Sequence, residues 1–392
     1  MRDFIAKNVA DMEWSGIRKF ADIAAQVPDA LSLCVGEPDF KTPERVRRAA
    51  MQSLEEGKTR YSMNMGLPEL RGAIAHYMER RFGLKYDPAQ EILCTIGASE
   101  AIDVALRTII EPWDEILVVE PSYVAYKPAI RLEHGVPVVV ETKAENDFKL
   151  QPEELEAAIT AKTKALILPY PNNPTGAIME REDLEKLVPV ILQHDLLVIS
   201  DEIYAELTYG GKNHVSIASL EGMWERTIVL NGFAKSFSMT GWRLGFACGP
   251  KELIQAMRKI HAYVIMCAPA ASQYGAIEAL REDELCDADI SYMREAYDER
   301  RKYLLRECNR LGMTCFAPRG AFYVFPSIKL TGLTSQEFCE RLLFEGGVAV
   351  VPGDAFGESG EGFVRISYAY SMEQLQACVA KIEGFLKNRG CL

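Results

Sequence analysis

Lys235 lies in a glycine-bounded loop, Gly232-Phe233-Ala234-Lys235-Ser236-Phe237-Ser238-Met239-Thr240-Gly241-Trp242-Arg243, with Arg243 eight residues beyond it. A lysine ammonium must lose a proton before it can act as a nucleophile or base, and a cationic, partly desolvated site promotes that loss. An arginine nearby supplies positive charge and a forked grip on an anion. Two other segments carry reactive groups. Asp201-Glu202-Ile203-Tyr204 sets a carboxylate three residues before a phenol, and Tyr170-Pro171-Asn172-Asn173-Pro174-Thr175-Gly176 holds amide side chains in a turn. Each segment alone has a plain reading. Asn-Pro and Thr-Gly are turn formers. An Asp after a strand is often a cap, and a loop lysine is usually solvated.

The three segments share a place in the pattern of elements. Short apolar or β-branched runs recur at 91–95, 115–119, 136–140, 165–168, 196–200, 227–230 and 243–248. Most are continuous rather than alternating, as strands buried on both faces should be. Helix-like stretches separate several of them, which reads as an α/β fold: a mostly parallel sheet covered by helices. The three segments follow 165–168, 196–200 and 227–230, and ligand sites in open α/β sheets lie beyond the carboxyl ends of strands.

Thr42-Pro43-Glu44 predicts a helix with Thr42 as N-cap and Pro43 at the first position, stopped near Gly57. A second helix should run from about Pro68 to Gly83, its apolar face made by Leu67, Leu70, Ile74, Tyr77 and Met78. The texture changes near residue 281. A charged helix over 287–311, an apolar run at 321–325, another helix and a strand at 363–368 read as a smaller α+β domain. The expected division is a large domain over 46–280, with 1–45 and 281–392 forming the small one.

The chain has 392 residues, enough for two or three domains and a large core without staples. Its formal charge of −12 argues against nucleic-acid binding as its main task, because that needs a clustered basic footprint. The five histidines are far apart and suggest no metal site, and the ten scattered cysteines, with no Cys-x-x-Cys, suggest free thiols. No apolar run reaches the ~18 residues of a spanning helix. The start Met1-Arg2-Asp3-Phe4 lacks the apolar core of a secretory leader, so the expected location is cytoplasmic, away from membranes.

Taken in order, Asn-Pro-Thr-Gly, Asp-x-x-Tyr and Lys with its distant Arg closely resemble the aminotransferase class I/II family, fold type I enzymes dependent on pyridoxal 5′-phosphate (PLP) and typified by aspartate aminotransferase. Gly36-Glu37-Pro38-Asp39-Phe40, Gly97-Ala98-Ser99-Glu100, Pro121-Ser122-Tyr123 and Phe363-Val364-Arg365-Ile366-Ser367 extend the resemblance over essentially the whole chain. It implies that Lys235 holds PLP as a Schiff base and moves the proton between Cα and C4′. Asp201 would keep the pyridine nitrogen protonated as an electron sink. Tyr204 and Asn173 would face the phenolic oxygen O3′. Ala98 and Ser99, expected to lead a helix over 100–110, would bind the phosphate with Arg243. Tyr123 would stack on the ring. Arg365 would grip the substrate α-carboxylate, with Gly36, Asn173 and Ile17 beside it. Tyr61 would reach into the site of a partner subunit in a homodimer. Cis peptides are implied before Pro174 and Pro121. Many relatives carry Ser three residues before the lysine, where it touches the phosphate; Gly232 stands there, so either the cradle has one hydroxyl fewer or Ser238 compensates.

The resemblance implies an aminotransferase that passes an amino group from an L-amino acid to a 2-oxo acid in two ping-pong halves. A PLP-dependent carbon–sulfur β-lyase would share every cofactor residue and stays open. A PLP-binding sensor fused to a winged-helix DNA reader fits poorly, because the first forty or so residues are too few and too acidic for such a reader. No second cation for a distal carboxylate stands out; Arg18 reads as solvent-facing.

Overall fold

The structure, a computed structural model, describes residues 4–12, 14, 16, 20, 23 and 26–392. After β1 (Leu31–Ser32), a seven-stranded sheet is built from β2 (Ile92–Thr95), β3 (Glu115–Glu120), β4 (Val136–Glu141), β5 (Thr163–Leu168), β6 (Leu197–Asp201), β7 (Thr227–Gly232) and β8 (Gly245–Cys248). Its order is β2-β8-β7-β6-β5-β3-β4. Only β8 runs against its neighbours; the other pairings are parallel. This is the α/β fold the apolar runs imply.

The continuous apolar runs are explained by burial on both faces. Successive side chains of a strand point to opposite sides. Ala165 and Ile167 enter a core with Ile102, Ile116, Ile199 and Ile228. Leu166 and Leu168 enter a different one with Leu117, Val198, Leu184 and Leu187. A strand with no solvent face has no polar position to alternate with. Register then brings the reactive segments together: Asp201 stands opposite Leu230, just before the turn that carries Lys235.

Local signals hold where no tertiary contact competes. Gly83 ends the helix Pro68–Phe82 in the left-handed conformation, φ 70°, where glycine meets no Cβ penalty. Thr42 differs from expectation. The helix starts at Glu44 with Pro43 as its cap residue. The Thr42 hydroxyl instead donates to the Ser238 carbonyl at 2.6 Å and accepts from Trp242 Nε1 at 3.0 Å. It ties the N-terminal segment to the lysine loop. The charged helix spans Asp283–Arg310, beginning earlier than expected.

Beyond it lie β9 (Tyr323–Val324), β10 (Val348–Ala349), β11 (Val351–Pro352) and β12 (Val364–Ser367). β11, β12 and β9 form an antiparallel sheet, and β1 pairs in parallel with β10, Leu31 opposite Val348. A further core joins Leu33, Tyr297, Phe322, Phe338 and Ile366 to Tyr204 and Leu207. Among the described residues no helix is long and apolar enough to cross a membrane.

Candidate active site

A cavity of about 360 Å³ opens at the carboxyl ends of β5, β6 and β7. One wall is the first turn of the helix Gly97–Ile109, where Gly97, Ala98 and Ser99 line the space. The first amides of a helix have no intrahelical acceptor and carry the positive end of its dipole, so this wall suits an anion. The helix starts three residues before the expected position. The Glu100 side chain reaches back to accept from the Ile96 N–H, as an acidic group near an N-cap does. Gly97 sits at φ 69°, and a Cβ there would stand 2.8 Å from Arg243 Nη2. Its absence lets the guanidinium reach this wall. Arg243 is itself held by a bond from Nη1 to the Thr240 carbonyl at 2.9 Å.

Lys235 projects into the same space and donates from Nζ to the Gly36 carbonyl at 2.7 Å. Among the described residues no carboxylate lies within ion-pair distance of it. Burial is the main cause that brings its pKa down from 10.5 to about 8; Arg365 and Arg243 add to this, and Glu37 and Asp201 oppose it. The amine can therefore shed its proton near neutral pH.

Across the cavity the Asp201 carboxylate ends β6, buried. Tyr126 donates its hydroxyl to Oδ2 at 2.7 Å and the Ile203 amide donates to Oδ1 at 3.2 Å, fixing both oxygens. Burial raises its pKa from the ordinary carboxylate value, and those two bonds pull it back. A buried carboxylate held, among the described residues, only by neutral donors is a receptor for a cationic group. Tyr204 follows, with its hydroxyl 2.8 Å from that of Tyr323.

Arg365 on β12 is 1% exposed. Nη1 donates to Asn173 Oδ1 at 2.9 Å, and Nη2 donates to the Cys34 carbonyl. The guanidinium is sandwiched between the rings of Tyr323 and Phe356, 4.5 and 4.9 Å from their centres. Its Nε is buried without a partner among the described residues. Gly36 lies alongside; a Cβ on it would come within 2.1 Å of the Tyr323 hydroxyl oxygen.

Ten residues named from sequence thus meet at one cavity: Gly36, Ala98, Ser99, Tyr123, Asn173, Asp201, Tyr204, Lys235, Arg243 and Arg365. Tyr61 does not; it is 81% exposed and off the wall. Ile17 and Arg18 lie outside the described residues. Ser238 does not replace a hydroxyl in the cavity, because its own points at Met293 Sδ, 3.0 Å away, and Thr240 occupies the wall instead. Peptides before Pro121, Pro171 and Pro174 are cis; the one before Pro171 was not anticipated. Sequence reading missed Tyr126 and Tyr323. The only signal for Tyr126 was its spacing of three from Tyr123. Tyr323 stands inside the apolar run at 321–325, where nothing local sets it apart. Among the described residues no group of three or more His, Cys, Asp or Glu could hold a metal ion.

A half-buried amine, a buried carboxylate and two arginines converging beyond parallel strands are the equipment of a group-transfer enzyme on an α/β fold. The profile of the family described as aminotransferase class I and II matches residues 28–382, and the chain belongs to that family. It is an enzyme of amino-group transfer. Similar proteins include an aspartate aminotransferase of Pyrococcus abyssi, 46% identical over 96% of each chain. An aromatic-amino-acid aminotransferase of Thermococcus litoralis is 44% identical, again over 96% of both. The crystal structure of aspartate aminotransferase from Thermus thermophilus with maleate superposes with a TM-score of 0.94 at 40% identity, covering 98% of this chain and all of that one.

Proposed function

We propose that this aminotransferase works with PLP held in the cavity and passes amino groups between an L-α-amino acid and a 2-oxo acid. The observation that carries the reading is the Lys235 amine, poised to lose its proton and standing in one cavity with Arg243 and Asp201. When bound, PLP supplies an aldehyde for an amine to hold and a protonated ring that accepts electrons from a breaking Cα–H bond. The residues fit its parts. Arg243 and the free amides of Gly97–Ser99 suit a phosphate dianion. Asp201, buried and with no cationic partner among the described residues, suits a protonated ring nitrogen. Tyr204 and Asn173, both on the cavity wall, would hold the phenolic oxygen, and Tyr123 would offer a ring face.

The chain's own groups then do the following. Lys235, once free and neutral, would take a proton from the substrate Cα and move it across the cavity. Arg365, already pinned by Asn173 and Cys34, offers its remaining donors to an α-carboxylate and so orients the Cα–H bond, the kind of positioning that contributes several kcal/mol. Asp201 holds a proton at the ring nitrogen. The relatives act on aspartate or aromatic amino acids by name, and a single carboxylate grip is common to those substrates.

The same reading takes the enzyme as a homodimer in the cytoplasm, with Tyr61 completing the partner's site. The exposure of Tyr61 and Met63, with Tyr263 and Met266 exposed on a distant segment that the Asn64 side chain ties to theirs by donating to the Met266 carbonyl at 2.7 Å, supports a covered face there. It also takes 46–280 as the PLP-binding domain and 1–45 with 281–392 as the small one, supported by the β1–β10 pairing. The test is a panel of L-amino acids with 2-oxoglutarate, scored by oxo-acid product and by conversion of the cofactor to its amine form. Turnover that is abolished in Lys235→Ala, together with its borohydride-reducible absorbance, is expected. Full activity in that variant overturns the assignment.

A further inference from the structure

Tyr323 sits between two groups that the proposed function uses separately. Its ring is 1% exposed and lies 4.5 Å from the Arg365 guanidinium. Its hydroxyl lies 2.8 Å from that of Tyr204, and this is its sole hydrogen bond among the described residues. The space for that hydroxyl exists because residue 36 is glycine; a Cβ there would overlap it at 2.1 Å. The backbone places the ring firmly, since Tyr323 on β9 is in register with Ser367 on β12, the strand that carries Arg365.

A phenol has one proton to give. If Tyr204 spends its proton on Tyr323, it has none for a ligand in the cavity. If Tyr323 is the donor, the Tyr204 oxygen accepts from behind and its own proton is free to point into the cavity. A donor that is itself a hydrogen-bond acceptor becomes a stronger donor, because chains of such bonds polarise one another. The ring of the same residue meanwhile holds the planar face of Arg365 by a cation–π contact on a desolvated surface.

Resting on the PLP reading above, we propose that Tyr323 is a positioning residue that couples the carboxylate grip to the cofactor side of the site: its hydroxyl donates to Tyr204 and turns the Tyr204 proton toward the cofactor's phenolic oxygen, while its ring holds Arg365 in place. The residue touches neither reacting atom. It acts through Tyr204 on one side and through Arg365 on the other.

The two halves separate by substitution. Tyr323→Phe keeps the ring and removes the hydroxyl; Tyr323→Leu removes both. The readout is the pH midpoint of the visible absorbance of the PLP-reconstituted enzyme, measured without substrate, followed by the amino-acid dependence of its bleaching. In Tyr323→Phe the midpoint should rise by about half a pH unit, since a weakened Tyr204 donor stabilises the phenolate less. The amino-acid concentration for half-maximal bleaching should stay within about twofold, as the cation–π contact survives. In Tyr323→Leu that concentration should rise about tenfold as well. The double variant Tyr204→Phe/Tyr323→Phe should match Tyr204→Phe alone, because the hydroxyl acts only through Tyr204. An unchanged midpoint in Tyr323→Phe, or shifts that add in the double variant, overturns the proposal. Failure of the PLP reading is distinct: the wild-type enzyme would then show no visible absorbance that depends on Lys235.

Discussion

The depressed pKa of Lys235 makes a prediction that needs neither cofactor nor turnover. Ordinary lysine is half-ionised near 10.5, and this amine near about 8. The difference of two and a half units means that, at any pH below both values, Lys235 has about 300-fold more neutral amine. At pH 7 about a tenth of it is deprotonated, against a few parts in ten thousand for an ordinary side chain. The sign follows from the cause. Burial penalises the charged form, so the proton leaves as pH rises through about 8, and the gain in reactivity should flatten above that. The assay is trace acetic-anhydride labelling of the cofactor-free enzyme between pH 6 and 10, with Lys235 acetylation read by peptide mass spectrometry against the bulk of the lysines. Two variants test the attribution. Glu37→Gln removes a charge that favours the ammonium and should move the midpoint down; Arg365→Gln removes one that disfavours it and should move it up. A labelling rate that climbs tenfold per pH unit through pH 9.5 would refute the reasoning, whatever the activity of the enzyme.

Three further outcomes are expected. Asp201→Ala should still bind PLP through the phosphate wall but slow the first half-reaction by orders of magnitude, seen in single-turnover absorbance traces; an unchanged rate with cofactor bound argues against its role at the ring nitrogen. Gly97→Ala forces a side chain into φ 69° and pushes Arg243 away; PLP affinity should fall about tenfold or more, measured by equilibrium titration, with little change in the helix content seen by circular dichroism. Lys235→Ala and a disabling Tyr61 variant, unfolded and refolded together, should recover about a quarter of wild-type activity, because half the dimers are mixed and each mixed dimer has one intact site; no recovery would place Tyr61 in its own chain's site.

What the sequence reveals follows the range of the interaction concerned. Lys235, Asp201, Tyr204 and Asn173 are legible because each belongs to a short motif that one strand end presents whole. The sheet is legible because double-sided burial writes itself as apolar runs. Tyr126 and Tyr323 are not, because each acquires its meaning only from a partner 75 or 119 residues away. No local pattern separates a core phenol from one whose hydroxyl serves a site. Thr42 was misread for the same reason, and Ser238, one of two alternatives, turns away from the cavity for it. Each has the residue type for a local task, a cap or an anion donor, yet each is claimed by a distant contact: Thr42 by the lysine loop, Ser238 by Met293. The start of the helix at Gly97 rather than Glu100 turns on a positive-φ glycine and a reaching Glu100, which residue preferences alone do not place.

The stretch Leu31–Gly36 has a bearing on how the enzyme is born. It waits for partners made more than 300 residues later. Leu31 pairs with Val348, the Leu33 carbonyl accepts from the Ser367 amide, and the Cys34 carbonyl accepts from Arg365. A ribosome will have extruded the whole seven-stranded sheet before those acceptors meet their donors. Until then Gly36 has no fixed place from which to meet the Lys235 amine. The nascent chain can therefore hold a folded sheet and an unfinished site at once, and contacts of such long sequence separation are the slow ones to form. A chain cut short before residue 348 would lack the partners of Leu31, Leu33 and Cys34, so competence arrives only after the segment 348–367 is made.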